Sequence, residues 1–305
     1  MTEIRLVGGI ELGGTKTLAA IGYDNGTIVE RTSLPTVAPE ILVPQIAAFF
    51  RTHSDALGPI AALGVGAFGP IVIDRNAPNY GRLLESNKPG WSGFDLASAL
   101  RSSFGLHPHI VTDVAAAGIA EAALGALIGA DIGIYLTVGT GIGGAIMCHG
   151  RPLPALLHPE MGHITLQRIR DDAVSSTCRF HSGCAEGLAA GPAIIARFGQ
   201  SLSHFPPEGM EHALIADYLG QLCANLVLTL SPQRIVLGGG VAKTPRLIAA
   251  IHAAMLVHLG GYAPKSIESA HFLCPPMLGQ DAGITGALCL TEQARSEAAI
   301  ALQRA

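Results

Sequence analysis

Charge is scarce in this sequence. Lys, Arg, Asp and Glu make up 14% of its 305 residues, and the formal net charge is −4. So few cations leave no basic stripe for a phosphodiester backbone, and nucleic acid is not expected as a partner. Low charge combined with 49% apolar residues also excludes a disordered chain. No uninterrupted apolar run of about eighteen residues marks a membrane span. The opening Met1-Thr2-Glu3-Ile4-Arg5 lacks the basic-then-apolar profile of a secretory leader. A cytoplasmic chain with no membrane partner is the expectation.

Cysteine is sparse too. Of six, Cys148, Cys223, Cys274 and Cys289 lie apart in apolar contexts and read as small buried hydrophobes. Only Cys178 and Cys184 stand close together, and in a reducing compartment such a pair points to metal before disulfide. What the chain has in quantity is glycine, 38 residues, and enough length for two domains sharing one cleft.

Residues 4–10 are β-rich and run into Glu11-Leu12-Gly13-Gly14-Thr15-Lys16-Thr17, followed by an apolar run at 18–23. Asp24-Asn25-Gly26 predicts a type I′ hairpin turn, because Asn-Gly suits two positive φ angles. Next come a helix over 39–53, a buried strand over 61–67, a helix capped by Asp95 and running to 104, a strand at 110–112 and a helix over 115–128. The opening pattern then recurs, with a strand at 132–138, a glycine turn Gly139-Thr140-Gly141-Ile142-Gly143-Gly144 and a strand at 145–148. Two similar halves are therefore expected. Helices over 187–198, 211–230, 245–258 and 281–296, and a strand at 235–237 entering Gly238-Gly239-Gly240, complete an α/β pattern.

Gly139-x-Gly141-x-x-Gly144 matches the dinucleotide fingerprint in letters only. That fingerprint needs a helix straight after the turn, and here the next residues are β-like and then Arg151-Pro152-Leu153-Pro154. A P-loop fails for want of its glycine spacing and its Gly-Lys pair. What remains is a pair of strand–turn–strand glycine loops that offer backbone N–H groups to anionic oxygen without a Cβ in the way. Thr15, Lys16 and Thr140 add donors, Glu11 stands where a carboxylate holds a metal-bound water, and Gly238-Gly239-Gly240 offers close approach to a ribose or base. Together they make a polyphosphate clamp. Asp113, at a strand end before a helix, reads as an N-cap, as a general base for a substrate hydroxyl, or as both.

Between residues 158 and 186 the chain gathers His158-Pro159-Glu160-Met161-Gly162-His163 and Cys178-Arg179-Phe180-His181-Ser182-Gly183-Cys184-Ala185-Glu186. Cys178, His181 and Cys184 supply three tetrahedral zinc ligands, with His163 the best fourth and His158 the second choice. Such a site is closed, so zinc would shape the loop carrying Glu160 and Glu186. Arg168-Ile169-Arg170-Asp171-Asp172 between the ligands reads as a solvated loop.

With these stretches in hand, the chain resembles the ROK family of sugar kinases, in its bacterial fructokinase branch. The resemblance rests on residues 9–16 (Gly-Ile-Glu-Leu-Gly-Gly-Thr-Lys), 64–70 (Gly-Val-Gly-Ala-Phe-Gly-Pro), 88–91 (Lys-Pro-Gly-Trp), Thr112-Asp113-Val114, Gly139–Gly143, the two histidine and cysteine segments, Gly191-Pro192 and Gly238–Val241. It implies a two-domain actin-like (ribonuclease H-like) α/β fold with mixed sheets and an interdomain cleft. Residues 1–113 with a C-terminal helix at about 286–305 would form the smaller domain, and 114–285 the larger. It further implies a homodimer, and ATP with Mg²⁺ held at Glu11, Gly13, Gly14, Thr15, Lys16, Thr140, Gly141 and Gly238–Gly240. Asp113 would be the base, with Gly69, Pro70, Thr112, Glu160, His163 and Glu186 around the sugar. The product would be a hexose 6-phosphate, fructose being the first expected substrate and mannose or another hexose the alternative. Ala115 stands where the family usually has Asn, and Pro154-Ala155-Leu156-Leu157 where it commonly has Gly-Gly-x-Gly. A sugar-responsive repressor of the same family would need a DNA-binding domain ahead of residue 4, and a non-catalytic sugar-binding protein would not need Glu11, Thr15 and Asp113.

Overall fold

Both expected strand–turn–strand pairs form, with ends displaced by a few residues. The computed structural model describes residues 4–86, 88–155, 157–262 and 264–304, the last eight by backbone alone. Met1–Glu3 of the leader reading and Leu156 of the 154–157 departure lie outside the described residues.

By contact density the chain divides into two units. One comprises Met1–Ala123, Pro154–His158 and Gln280–Ala305, the other Leu124–Leu153 and Pro159–Gly279. In the first unit β1 (Leu6–Leu12) and β2 (Lys16–Tyr23) pair antiparallel, Leu12 opposite Thr17, across the first glycine turn. β3 (Ile28–Pro35) continues the meander beside β2. After α1 (Pro39–Leu57), β4 (Leu63–Ala67) runs parallel to β1. After α2 (Leu96–Phe104), β5 (Pro108–Thr112) runs parallel to β4 and leads into α3 (Asp113–Leu124). The sheet order is β3-β2-β1-β4-β5. Its core includes Ile10, Leu42, Phe50, Val65, Trp91 and Leu100.

The second unit repeats this connectivity. β6 (Ile132–Val138) pairs antiparallel with β7 (Ile142–Cys148), and β7 with the short β8 (Arg151–Pro152). Then come α4 (Ala185–Ala189), α5 (Gly191–Phe198), α6 (Met210–Leu230), β9 (Arg234–Gly238) parallel to β6, α7 (Leu247–Leu259) and β10 (Leu273–Cys274) parallel to β9. The order β10-β9-β6-β7-β8 is that of the first sheet, strand for strand. Two mixed sheets built by one rule bear out the α/β reading. The last helix, α8 (Ala282–Arg304), belongs to the first unit, where it packs on β1 and β4.

Several local expectations are corrected. Only Gly26 of the Asn25-Gly26 pair takes positive φ (90°), so the turn is not type I′. Tyr23 O accepts from the Gly26 N–H and the Tyr23 N–H donates to Thr27 O, so the loop is the three residues Asp24-Asn25-Gly26 with Gly26 left-handed at its end. Gly143 and Gly144 lie within β7, leaving Gly139–Gly141 as the whole second turn. The helix expected over 187–198 is two helices, α4 and α5, divided at Ala190 before Gly191-Pro192. The helix expected over 115–128 starts at Asp113 and stops at Leu124. Residues 168–172 are not simply solvated, because the Asp172 side chain is 3% exposed. α6 is long and apolar enough to cross a bilayer by length and composition, yet Ile215, Tyr218, Leu219 and Leu222 on it lie in the core of the second unit.

Candidate functional site

The first glycine turn ties its carbonyls back onto the protein. Gly13 O accepts from Thr36 Oγ1 at 2.7 Å and Gly14 O from Lys88 Nζ. Thr15 O accepts from the Thr36 N–H at 2.9 Å, and Lys16 O from the Gly13 N–H at 3.2 Å. A peptide's N–H points opposite its C=O, so the amides of Gly14 and Thr15 face away from these anchors. Among the described residues they donate to nothing. Adjacent outward amides with inward carbonyls form a nest for anionic oxygen. Lys16 is exposed at the start of β2, beside them.

The second turn is built likewise in the second unit. Gly139 O accepts from the Gly191 N–H at 2.7 Å, and Gly141 O from the Gly139 N–H at 2.9 Å. The amides of Thr140 and Gly141 donate to no described group. Glu186, in α4, accepts from the Ile142 N–H at 2.9 Å. Its carboxylate lies so close that a Cβ on Gly141 would fall 2.6 Å from Oε2. Gly238 ends β9, Gly239 takes a φ of 92°, and Val241 donates to Val138 O, which sets the triple glycine beside the second turn. Next to it lies a cavity of about 190 Å³ lined by Gly191, Ile194, Leu202, Gly240, Val241 and Lys243 among others.

On the first unit, Glu11 sits on β1 beside the turn, against Gly283 at the start of α8. Its Oε2 is buried and accepts no hydrogen bond among the described residues. Burial, and then the Asp113 carboxylate, raise its pKa from 4.5 to about 7, against the opposing pull of Lys16 and the Ile284 N–H; Asp281 adds to the rise. A buried carboxylate oxygen with acidic neighbours and no partner is a hard-donor site suited to a magnesium ion or its water. Asp113 is the first residue of α3, and its Oδ1 accepts from the Val114 N–H at 2.8 Å. The helix cap belongs to Thr112 instead, whose Oγ1 accepts from the Ala115 N–H at 3.1 Å. The Gly69–Pro70 peptide, after β4, is cis.

In the second unit, His163, Cys178, His181 and Cys184 bring their ligand atoms within 4.8 Å of one another. Cys178 Sγ lies 3.7 Å from the Nδ1 of both His163 and His181, and Cys184 Sγ 3.8 Å from His163 Nδ1. A tetrahedral zinc with ordinary Zn–S and Zn–N bonds needs about 3.6 Å between S and N, so this donor set fits the ion. His158 is elsewhere, in the first unit, with its imidazole against Gly69. Glu160 immediately precedes the short turn of Met161–His163.

The loop behind the ligands is anchored by a buried ion pair. Arg197 Nη2 lies 2.9 Å from Asp172 Oδ2, and their side chains are 2% and 3% exposed. Tyr218 donates to the same oxygen at 2.5 Å. Desolvation pushes the Asp172 carboxyl up, but the Arg197 and Tyr218 hydrogen bonds outweigh it and hold the pKa below 3.8. Sequence reasoning missed this network, and it missed Thr36 and Asp281. None of these has a local pattern; each owes its place to the way distant segments meet.

Residues 7–294 match the ROK family. The chain is 35% identical over 293 residues to a fructokinase of Pediococcus pentosaceus, covering 96% of this chain and 100% of that one. The crystal structure of a ROK hexokinase from Thermus thermophilus superposes with a TM-score of 0.78 at 29% identity, over 95% of this chain and 99% of that one. A ROK family glucokinase from Streptomyces griseus, solved with glucose and AMPPNP, gives 0.73 at 25% identity, over 94% and 99%. With the repeated sheets and paired glycine turns already in view, these matches have one meaning: the chain belongs to the ROK family, whose kinases have an actin-like two-domain fold.

Proposed function

We propose that this protein is a sugar kinase that transfers the terminal phosphoryl group of ATP to a hexose, with fructose as its first substrate. The observation that carries the reading is the pair of glycine turns, each offering two consecutive amides with no acceptor among the described residues. Phosphoryl transfer relies mainly on positioning and charge stabilisation, which is what outward amides supply. Gly13–Lys16 and Thr140–Gly141 would bind the phosphates. Gly238–Gly240 and the adjoining cavity would take the ribose and base; its volume is below the roughly 300 Å³ of pockets for larger ligands and suits one ring system.

Glu11 would hold magnesium or its water, with Asp113 and Asp281 as acidic neighbours. The ion, when bound, neutralises charge on the phosphates. Asp113, whose Oδ1 accepts from the Val114 N–H, would orient the attacking hydroxyl and accept its proton through its carboxylate. Gly69, Pro70, Thr112, Glu160, His163 and Glu186 would surround the sugar. His163, Cys178, His181 and Cys184 would hold zinc as a structural cross-link. The fructokinase relative supports fructose over other hexoses.

The test is a coupled ATPase assay with fructose, mannose, glucose and their amino derivatives. Fructose should give the highest kcat/KM. Turnover of mannose or glucose at tenfold higher kcat/KM would replace fructose, and no turnover of any sugar would remove the kinase reading. Asp113→Asn should lower kcat on the order of a hundredfold or more while leaving hexose and nucleotide binding in place. Near-normal turnover in that variant would dismiss the base.

A further inference from the structure

Lys88 stands outside both glycine motifs, yet its side chain ends on the first of them. It is carried by a well-tied loop. Trp91 is buried, and its Nε1 donates to Val37 O at 3.0 Å. Ser86 N–H donates to Ser92 Oγ at 2.8 Å, and Ser92 Oγ to Ser86 O at 3.1 Å. Lys88 N–H donates to Ser86 Oγ at 3.2 Å, and Trp91 N–H to Lys88 O at 3.1 Å. Phe68 meets Trp91 edge to face at 5.5 Å, and Lys88 Nζ lies 5.5 Å from the Phe68 ring centroid.

From this base the ammonium reaches the Gly14 carbonyl. A Cβ on Gly14 would fall 3.3 Å from both Cε and Nζ of Lys88, so the ammonium packs closely over this residue. The contact has two consequences. Holding the Gly14 carbonyl fixes the 14–15 peptide plane and turns the Thr15 N–H to the opposite side. It also brings a second ammonium to a turn where Lys16 otherwise stands against Glu11, Asp113 and Asp281. A polyphosphate approaching those carboxylates meets repulsion that a nearby cation offsets.

We propose that Lys88 is a positioning residue for phosphate binding, one that holds the Thr15 amide toward the phosphate and adds positive charge to the same turn. The proposal rests on the reading of this turn as a nucleotide phosphate site. Its test separates the two contributions. Lys88→Arg keeps charge and donor, Lys88→Gln keeps a neutral donor, and Lys88→Met keeps neither. The binding of ADP and of adenosine to each folded variant is measured by calorimetry, alongside the KM for hexose.

ADP should bind about tenfold more weakly to Lys88→Met, a loss of the size expected for one charge-assisted contact. Lys88→Gln should fall between Met and wild type, and Lys88→Arg should stay within about threefold of wild type. Adenosine affinity and hexose KM should not move, because neither ligand carries phosphate. Equal loss for ADP and adenosine would reduce Lys88 to a structural prop and overturn the proposal. So would equal loss in the Arg and Met variants, or no loss in Met. Should Lys88→Met fail to fold, tighter ADP binding by Arg than by Gln still supports the proposal, and equality overturns it. Failure of the wild type to bind ADP at all would sink the kinase reading itself, whereas equal ADP binding by wild type and Lys88→Met sinks only the role of Lys88.

Discussion

Replacing Asp172 by Asn should be among the most damaging single changes outside the chemistry. The Asp172 carboxylate takes Arg197 side-on, with Nε to Oδ1 at 3.1 Å and Nη2 to Oδ2 at 2.9 Å. Tyr218 and the Val174 N–H also donate to it, and Arg168 Nη1 lies 3.8 Å from Oδ2. Arg197 in turn donates through Nη1 to Leu188 O at 2.7 Å and Ala193 O at 3.0 Å, fastening the α4–α5 corner. Asn preserves the volume but leaves a buried guanidinium without its counter-charge, and breaking one side of such a pair costs about 3–5 kcal/mol. In a unit of this size that lowers Tm by about 6–20 °C. Scanning calorimetry at pH 7 reads the shift. The double variant Asp172→Leu/Arg197→Met should recover most of it, because a buried ion pair exchanged for apolar groups of similar volume is close to neutral. The pH dependence has a defined sign. The folded pKa lies below 3.8, so the stabilisation is present above 3.8 and is lost as pH falls through the folded value. The gap between wild type and Asp172→Asn should thus be flat from pH 8 to 5. A loss smaller than about 1 kcal/mol at pH 7 would put this ion pair with weak surface bridges and refute the reasoning.

Gly141→Ala should cost nucleotide affinity about tenfold or more, because its Cβ would lie 2.6 Å from Glu186 Oε2 and push the turn off its anchor; calorimetry with ADP checks it, and unchanged affinity would mean the turn adapts freely. Metal analysis should find about one zinc per chain, and Cys184→Ser or chelation should open residues 176–184 to protease before either unit unfolds; active protein free of zinc would remove the metal. His212 is buried with neither ring nitrogen bonded among the described residues, and burial lowers its pKa below 6.5, opposed by Glu211 and Glu208. Stability should therefore be complete above pH 6.5 and decline below it, by at most about 1.4 kcal/mol for each pH unit; His212→Leu should flatten urea-unfolding profiles between pH 6.5 and 5, and an unchanged slope would exonerate the histidine.

Much of the fold was legible because its signals are local. The alternating or fully apolar runs of β1, β2, β6 and β7, each pair broken by Gly and Thr, announce strand, turn and strand whatever surrounds them. Asp95 was legible as a cap for the same reason, and its Oδ1 does accept from the Ser98 N–H. The hairpin turn at Asp24-Asn25-Gly26 implied a strand after it, but the extent of β3 was lost, since Ile28–Pro35 is mostly exposed and carries Glu, Arg, Thr and Ser. With it went Thr36, which follows β3 directly and holds two carbonyls of the first turn. Asp172 failed in the opposite way. Its Arg-Ile-Arg-Asp-Asp setting is that of a surface loop, and only Arg197 and Tyr218, from α5 and α6, make it a core residue.

Glu186 shows where residue-by-residue reading stops. Its position two residues after Cys184 suggests a sugar-facing acid on a metal loop, and nothing in the spacing ties it to the second glycine turn. That tie needs α4. Cys184 accepts from the Gly187 N–H as the N-cap of this helix, Ala185 N–H donates to Ile164 O, and within a single helical turn Glu186 is delivered to the Ile142 amide. The Gly191 N–H, at the start of α5, then holds Gly139 O from the other side of the same turn. A loop that orders the cysteines and histidines therefore also orders the amides of Thr140 and Gly141. The cysteine–histidine loop and the second glycine turn are thus parts of one hydrogen-bonded assembly in the second unit. Changing Cys178, His181 or Cys184 should therefore be felt, through Glu186, at the second glycine turn.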